Sequence, residues 1–411
     1  MMREKLTIAD YKLSLILVYL SVVLGLNPLV LKTPELSLNF EAVRIIIFLA
    51  LSILVVLFNG KVYVDKSLSP CFFGLFFFTT WYLLRYENEA TEFYLSEASK
   101  LLYCMFIILM IGGQNKWQIN RLNDKLVWFS VFLLITIFVI NFFLNGFAHG
   151  KDGVLALSSG LGRSNLAYSL FICSSLMFFF WQREKNIIHL MLFVFLTGLL
   201  ILTYVRGAIL CFITFLALYA VIKNIKYLIP IFFMLIGAVF FLKERILSQL
   251  FHEDFIRNIT HHSAQDMLLN INLTGRLSLW EIVLNLKDSG GLFGMGSGKA
   301  NFILSQSWVG LEQVHSDYIK VYSELGFVGL GLFLIMLLSF FLSLLFKYKE
   351  THSFYSCWGL CVSPSLIIMP FVDNFIAYLP YIYIPIMAIG YIDNEIKVKN
   401  NADECLHAAV R

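Results

Sequence analysis

Charged residues are scarce in this sequence, and their scarcity excludes an ordinary soluble enzyme. Only 14% of the 411 residues are Asp, Glu, Lys or Arg, whereas 59% are hydrophobic and the mean hydropathy is +0.77. A soluble fold of this size needs a much more polar surface. The bilayer is therefore the expected solvent for most of the chain, and no large soluble domain is expected.

Cysteine clusters are lacking as well. The seven cysteines lie in apolar segments or near the C-terminus, at spacings unlike a zinc site or a disulfide framework. His261 and His262 are adjacent, but no further ligand spacing accompanies them. We expect packing roles for the cysteines, and we expect no metal, no cofactor and no nucleic-acid partner.

Long polar stretches are rare, and apolar runs long enough to cross about 30 Å of hydrocarbon recur along the chain. The first run, 11–31, is too long for a secretory signal and lacks a small-residue cleavage site. The pattern predicts an all-α polytopic membrane protein with about twelve transmembrane helices. They are placed at 12–31, 41–59, 68–85, 98–113, 126–145, 164–181, 187–204, 207–222, 227–242, 326–346, 353–371 and 375–393.

The placement of charge predicts an orientation. If the chain starts inside, every short cytoplasmic connection is basic, with cations such as Lys61, Lys116, Arg183, Lys223 and Lys347. The segment 85–100, on the opposite side, is mainly acidic. This asymmetry is what the positive-inside rule describes, so it predicts that the chain starts on the cytoplasmic side and that the acidic side faces outward.

One connection, 243–325, is the only extended polar region, and the topology puts it in the periplasm. Within it, Thr274 is a potential N-cap, apolar residues follow at helical spacing, and Gly290-Gly291 would end the helix. We therefore expect one long periplasmic loop containing short helices. The predicted divisions are N-terminal helices 1–186, central helices 187–242, the loop 243–325, C-terminal helices 326–395 and a cytoplasmic tail 396–411.

Three arginines lie on the predicted outer side, where the positive-inside rule asks for no cation: Arg163, Arg206 and Arg276. Arg206 interrupts an otherwise apolar stretch at the turn between two helices. One interpretation is an arginine that snorkels to lipid phosphates. The other is a guanidinium that holds a diphosphate through two charge-assisted bonds. For Arg276, an ordinary solvated cation is the alternative.

A second candidate is the polar run His315-Ser316-Asp317, which leads into an apolar helix expected to start near Gly326. A histidine at the membrane surface can accept a proton from a sugar hydroxyl near neutral pH, although a structural hydrogen-bonding role is the alternative. Asp373 lies at the outer junction of the last two helices, where it is either a functional carboxylate or a helix cap.

A glycine-rich stretch, GLFGMGSGKANF, has the Gly-Lys pair of a phosphate-binding loop but lacks its spacing. Phe293 stands where glycine is needed and Ala300 where Ser or Thr is needed. A tight turn is expected instead, with backbone amides such as that of Gly296 as candidates to face the site.

These motifs together resemble the bacterial O-antigen ligase and polymerase family. The family pattern of His, then Asn, Ser or Gln, nine residues and Gly-x-x-Gly is met by His315, Ser316, Gly326 and Gly329. Three further elements match in order: Arg206-Gly207, Gly275-Arg276 with Trp280, and Gly294-Met295-Gly296. The match spans roughly 190–345, and the N-terminal helices match in hydropathy alone. Leu330 stands where some ligases have threonine, which leaves the subtype open.

The resemblance implies transfer of a glycan from undecaprenyl diphosphate at the periplasmic face. It implies Arg206 and Arg276 as diphosphate-binding catalytic residues and His315 as the base. Arg163, Ser316, Asp317, Asp373 and Gly296 are predicted to contact substrate. The acceptor is another repeat unit in a polymerase, which we favour slightly, or lipid A core in a ligase. Membrane lipids and a chain-length regulator are further expected partners.

A lipid-linked sugar transporter or flippase is the alternative from another class. Transporters place ionisable residues and broken helices near the bilayer midplane. The polar residues here gather on one predicted face, which favours the enzyme.

Overall fold

The computed structural model describes residues 17–18, 20–23, 40–59, 66–114, 122–145, 148–149, 155–156, 163–203, 205–223, 276–286, 289–306 and 314–391. The helices in this part of the chain are α1 Phe40–Asn59, α2 Ser69–Leu84, α3 Thr91–Gln114, α4 Leu122–Asn145, α5 Arg163–Glu184, α6 Ile187–Leu202, α7 Arg206–Lys223, α8 Arg276–Leu284, α9 Lys299–Gln306, α10 Asp317–Thr351, α11 Phe354–Val362, α12 Ser365–Val372 and α13 Phe375–Tyr391. One 3-10 turn, Asn88–Ala90, precedes α3. Two short strands, Ala148–His149 and Leu155–Ala156, pair antiparallel.

The all-helical class is confirmed. Among the described residues, five stretches are long and apolar enough to cross a membrane: Asn88–Ile111, Ser164–Glu184, Arg206–Lys223, Asp317–Thr351 and Phe354–Phe371. Five shorter apolar helices accompany them. The predicted count of about twelve spans and the assignment of 243–325 to the periplasm stay predictions. The predicted span 227–242 and most of 12–31 lie outside the described residues.

The last predicted spans differ in detail from the structure. A helical segment, residues 317–325, precedes the helix expected to start near Gly326, and the non-helical Gly326 separates the two within α10. The predicted span 353–371 agrees with the apolar stretch Phe354–Phe371, although its helical hydrogen bonding is interrupted after Ser363, between α11 and α12. Proline has no N–H to donate to the preceding turn, which accounts for this break.

Aromatic side chains and small residues pack the bundle. On α5 and α7, Phe171 lies 6.5 Å from Phe212 and Phe178 lies 4.9 Å from Tyr219. Both pairs have the same sequence offset, so these two helices run parallel and in register. On α11 and α13, Gly359 and Gly390 approach so closely that a Cβ on Gly359 would lie 3.0 Å from the Cα of Gly390. Such small-residue contacts let membrane helices pack tightly.

Helix α10 is broken at Gly326, which has φ 68° and ψ −166°. In an unbroken helix the N–H groups of Phe327 and Val328 would donate to the carbonyls of Ser323 and Glu324. They donate instead to Gly291 O (2.8 Å) and Leu292 O (3.2 Å). The break therefore needs a second segment to complete its hydrogen bonding.

That segment is the Gly-rich turn, residues 289–298. The N–H groups of Gly290 and Met295 donate to Ser323 O, and that of Gly296 donates to Glu324 O. The turn and the broken helix thus exchange donors and acceptors, and the donors freed by the break are bonded within the protein. The sequence-based prediction of a tight turn is confirmed by these contacts.

The two ends of the bundle differ in charge. Residues 85–97, 289–301, 314–324 and 373–376 are joined by hydrogen bonds and form what we call the His315 end. Helix α2 runs towards this end, whereas α5 and α10 run away from it. The helix ends on the opposite side of the bundle carry Lys66, Arg183, Lys185, Lys223, Lys347 and Lys349. We call this side the basic end.

Replacement of Gly326 by Ala should destabilise the protein. The backbone at this position lies in a region that only glycine adopts readily, at a cost of about 1–3 kcal/mol for other residues. In addition, a Cβ here would lie 2.5 Å from backbone atoms of Leu292 and Phe293. We expect a lower midpoint of thermal denaturation for the purified protein in detergent.

Gly331→Ala is the matched control, five residues further along the same helix. A Cβ at Gly331 meets nothing within 4 Å, and alanine favours a helix over glycine. This variant should be at least as stable as the wild type. Equal stability of the two variants would contradict the role assigned to the break at Gly326.

Candidate functional site

The site is built where the chain leaves α12 and enters α13. Asp373 has extended φ/ψ angles of −156° and −178°, and its own carboxylate oxygen Oδ1 accepts the N–H of Asn374 at 3.0 Å. Pro370 lies within α12 three residues earlier. The result is a non-helical corner that presents two buried polar side chains, Asp373 and Asn374, between apolar helices.

His315 lies against this corner. Its backbone N–H donates to Asn374 Oδ1 at 3.1 Å, and its ring Nδ1 lies 3.5 Å from Asn374 Nδ2 and 3.8 Å from Asp373 Oδ1. The ring is about one-third exposed, at 33%. His315 also has a positive φ of 55°, which is uncommon for a residue other than glycine. The corner therefore fixes both the backbone and the ring of His315.

Ser316 and Asp317 dock the start of α10 on the same corner. Ser316 Oγ donates to Pro370 O at 3.3 Å. Asp317 Oδ2 accepts the N–H of Ile376 at 2.7 Å, in the first turn of α13, where a carboxylate favours the helix dipole. Asp317 Oδ1 is buried and has no hydrogen-bond partner among the described residues. These contacts position His315, so the substrate contacts predicted for Ser316 and Asp317 stay predictions.

Tyr168 connects the corner to α5, because its Oη donates to Asp373 Oδ2 at 3.4 Å. Since α5 and α7 run in register, the half-buried Arg206 at the start of α7 lies level with Asn165. Asn165 is one turn from Tyr168. Arg206 is therefore at the His315 end. Arg163 is the first residue of α5, at the same end.

Arg276 is the first residue of α8, and this helix lies beside the segment that leads into His315. Trp280 Nε1 donates to Val314 O at 3.0 Å, and Arg276 lies about 6 Å from Trp280 along the helix axis. The structure thus brings the elements carrying Arg276 and His315 together. The predicted N-cap Thr274 lies outside the described residues.

Gly296 is the predicted site residue that the structure separates from the others. Its N–H donates to Glu324 O, which is about 13 Å along α10 from His315. A Cβ on Gly296 would lie 2.1 Å from the Cγ of Glu87, so the residue is enclosed by protein. This geometry gives Gly296 a packing role, and its contact with substrate stays a prediction.

Sequence analysis missed a buried ion pair next to the site. Lys320, one turn after Ser316, contacts Glu97 at the start of α3, and both side chains are at least nine-tenths buried. Glu97 also accepts hydrogen bonds from Tyr82 Oη (3.0 Å) and Asn301 Nδ2 (3.2 Å). The pair therefore connects α10 with α2, α3 and α9.

A second buried carboxylate, Glu324, lies one turn further along α10 from Lys320. Its Oε1 accepts the N–H of Ala300 at 3.0 Å, at the start of α9. The stretch around Gly298-Lys299, which superficially matches a phosphate-binding loop, therefore hydrogen-bonds to the protein's own carboxylate, Glu324. Spacing along the chain gives no indication of either pairing, because the partners are 24 and 223 residues apart.

These features define a class: a multi-pass helical membrane protein with a histidine-carboxylate-amide cluster at one end of its bundle. Residues 191–334 match the family model described as O-Antigen ligase. This segment contains Arg206, Arg276, His315 and the Gly326 break. Over this segment, which is 144 of the 411 residues, the chain is similar to that family. No curated protein sequence matches the chain.

Removing one member of the buried ion pair should destabilise the His315 end. Lys320→Met leaves Glu97 buried without its cation, and Glu97→Gln leaves Lys320 without a partner. Loss of one partner of a buried pair costs about 3–5 kcal/mol. We expect lower midpoints of thermal denaturation for both variants, and a double variant less destabilised than the sum of the two.

The exposed pair Lys299 and Glu89, 3.8 Å apart at the same end, supplies the control. Exposed pairs contribute about 0–1 kcal/mol, so Lys299→Met and Glu89→Gln should leave the midpoint nearly unchanged. Additive effects of Lys320→Met and Glu97→Gln in the double variant would show that the two residues are not coupled.

Proposed function

We propose that the protein is a polysaccharide polymerase that transfers a glycan from undecaprenyl diphosphate to an acceptor sugar hydroxyl at the periplasmic face of the bacterial inner membrane. The observation that carries the proposal is the position of His315, which is held against Asp373 and Asn374. His315 itself lies within the segment that matches the O-antigen ligase family. The basic end carries the cations expected of a cytoplasmic face, which supports a periplasmic location for the His315 end.

His315 is the proposed general base. Its Nδ1 is directed at Asp373 and Asn374, which leaves Nε2 to accept the proton of the acceptor hydroxyl. In the reactive tautomer Nδ1 carries the ring hydrogen and faces Asp373, and once Nε2 has gained the acceptor's proton the Asp373 carboxylate stabilises the imidazolium. Tyr168 and the N–H of Asn374 hold the carboxylate in place. The 3.8 Å separation is typical of a catalytic contact that shortens once substrate binds.

The arginines are the proposed diphosphate-binding residues. The acceptor oxygen forms a bond to the anomeric carbon while the bond from that carbon to the phosphate oxygen breaks. Negative charge builds on the departing undecaprenyl diphosphate, and guanidinium groups from Arg206 and Arg276 stabilise it. Arg163, at the start of α5, is a further candidate for the same anion.

A ligase that transfers the glycan to lipid A core is the alternative within the same family, and the family match is equally consistent with it. Deletion of the gene from a strain that makes O-antigen separates the two. Loss of a polymerase should leave core carrying one repeat unit, whereas loss of a ligase should leave bare core. Gel electrophoresis of the lipopolysaccharide measures the difference.

His315→Ala should abolish elongation of synthetic lipid-linked repeat units by the purified protein. Loss of a general base typically costs about 10²–10⁴-fold in rate. Asp373→Asn should reduce the rate less, because the imidazole remains. The assay is the ladder of glycan lengths resolved by gel electrophoresis or mass spectrometry.

His352→Asn is the control, since His352 also has a positive φ but lies at the basic end, and asparagine tolerates that conformation. It should elongate at the wild-type rate. Unchanged ladders from a correctly inserted His315→Ala protein would remove His315 from the mechanism. No elongation by the wild-type protein would contradict a polymerase and leave the ligase and transporter alternatives, of which the clustering of polar residues at one end disfavours the transporter.

A further inference from the structure

The Gly-rich turn ends in an apolar tip, Leu292-Phe293. These side chains are 59% and 50% exposed, although the turn belongs to a region whose sequence is largely polar. Two further exposed apolar residues adjoin them: Leu84 at the end of α2 and Phe327 just after the break in α10. The ring of Phe293 lies 5.9 Å from that of Trp81, one turn before Leu84.

The tip continues a larger apolar surface formed by α2 and α10. These helices pack antiparallel, with the rings of Phe78 and Phe333 5.3 Å apart and the N–H of Cys71 donating to Ser343 Oγ at 3.0 Å. Their outward faces carry exposed apolar side chains at helical spacing: Phe73, Phe76, Phe77 and Leu84 on α2, and Phe327, Leu334, Ile335 and Leu338 on α10. In a membrane protein, a surface of this kind faces lipid.

Much of the backbone of the Gly-rich turn is hydrogen-bonded within the protein, which favours a position of the tip at the same depth as these helices. Irregular backbone is tolerated in hydrocarbon only where its polar groups are bonded within the protein. In the Gly-rich turn, the carbonyls of Gly291 and Leu292 accept N–H groups of α10, and Gly294 O accepts from Arg85 Nη2 at 2.9 Å. The N–H groups of Met295 and Gly296 donate to α10 carbonyls.

We propose that residues 289–298 form a re-entrant element whose tip, Leu292-Phe293, is seated in the hydrocarbon of the leaflet at the His315 end. The partner is the acyl-chain region of the bilayer, and the attachment is independent of the proposed glycosyl transfer. Insertion fixes the depth of the α10 break in the membrane. It thereby sets the height of His315 relative to the lipid headgroups, where the phosphates of any lipid-linked substrate lie.

Site-directed spin labelling of the full-length protein in nanodiscs tests the proposal. A nitroxide is attached to Leu292→Cys, Phe293→Cys or Glu89→Cys in a background whose native cysteines are replaced. Glu89 is the matched control, because it is at the same end and its side chain is 66% exposed. Collision of each label with molecular oxygen, which concentrates in lipid, and with a water-soluble nickel chelate is measured by electron paramagnetic resonance.

The proposal expects labels at 292 and 293 to collide with oxygen at least severalfold more than with the nickel chelate, and the label at 89 to show the reverse. A nickel-accessible label at 292 and 293 would place the tip in water and overturn the proposal. Low collision with both reagents would mean that protein covers the tip, which also overturns it. Because the assay needs no turnover, its outcome is separate from that of the elongation assay.

Discussion

The break in α10 at Gly326 is the constraint on which the His315 end depends. A broken helix inside a membrane protein leaves donors and acceptors that lipid cannot satisfy. Here the Gly-rich turn supplies the missing partners, and in addition Arg85, just after α2, contacts the turn, and Trp81 of α2 contacts the residue before the break. The break at Gly326 therefore joins the Gly-rich turn, α2 and the start of α10 in a single hydrogen-bonded unit.

That unit determines the surroundings of His315. Lys320 and Glu324 lie between the break and the histidine, and each binds a different neighbour, α3 or α9. Asp317 and Ser316 bind the corner between α12 and α13. Helix α10 is therefore held on several sides over its first turns, so the imidazole has little freedom to move. Preorganisation of this kind is what general acid-base chemistry requires.

The apolar helices could be predicted from the sequence because hydropathy alone specifies them. The predicted spans 41–59, 164–181 and 207–222 agree closely with α1, α5 and α7. Part of the site was also predictable, since His315 and Asp373 are polar residues at the borders of apolar runs. The contact between them depends on how the last helices fold back, which hydropathy does not specify.

The remaining features depend on tertiary packing and leave no periodic pattern. Lys320 would be an ordinary cation near a helix start, and Glu97 an ordinary residue of an acidic segment, until the fold buries them together. The backbone amide of Gly296 was predicted to face the site. Its N–H instead donates to Glu324 O of α10, a carbonyl that the break at Gly326 leaves without its usual helical partner. The helical segment that starts at Asp317 was not predicted because many of its residues are polar. The fold buries one face of this segment against protein.

The separation of Glu97 and Lys320 along the chain has a consequence for biogenesis. The two residues are 223 positions apart, and ribosomes add about 5–20 residues per second, so roughly 10–45 s pass between the synthesis of one and the other. During that interval the start of α3 carries a carboxylate whose cation does not yet exist. The insertion machinery must keep this segment near the aqueous boundary, and docking of α10 is then the step that draws it into the finished bundle.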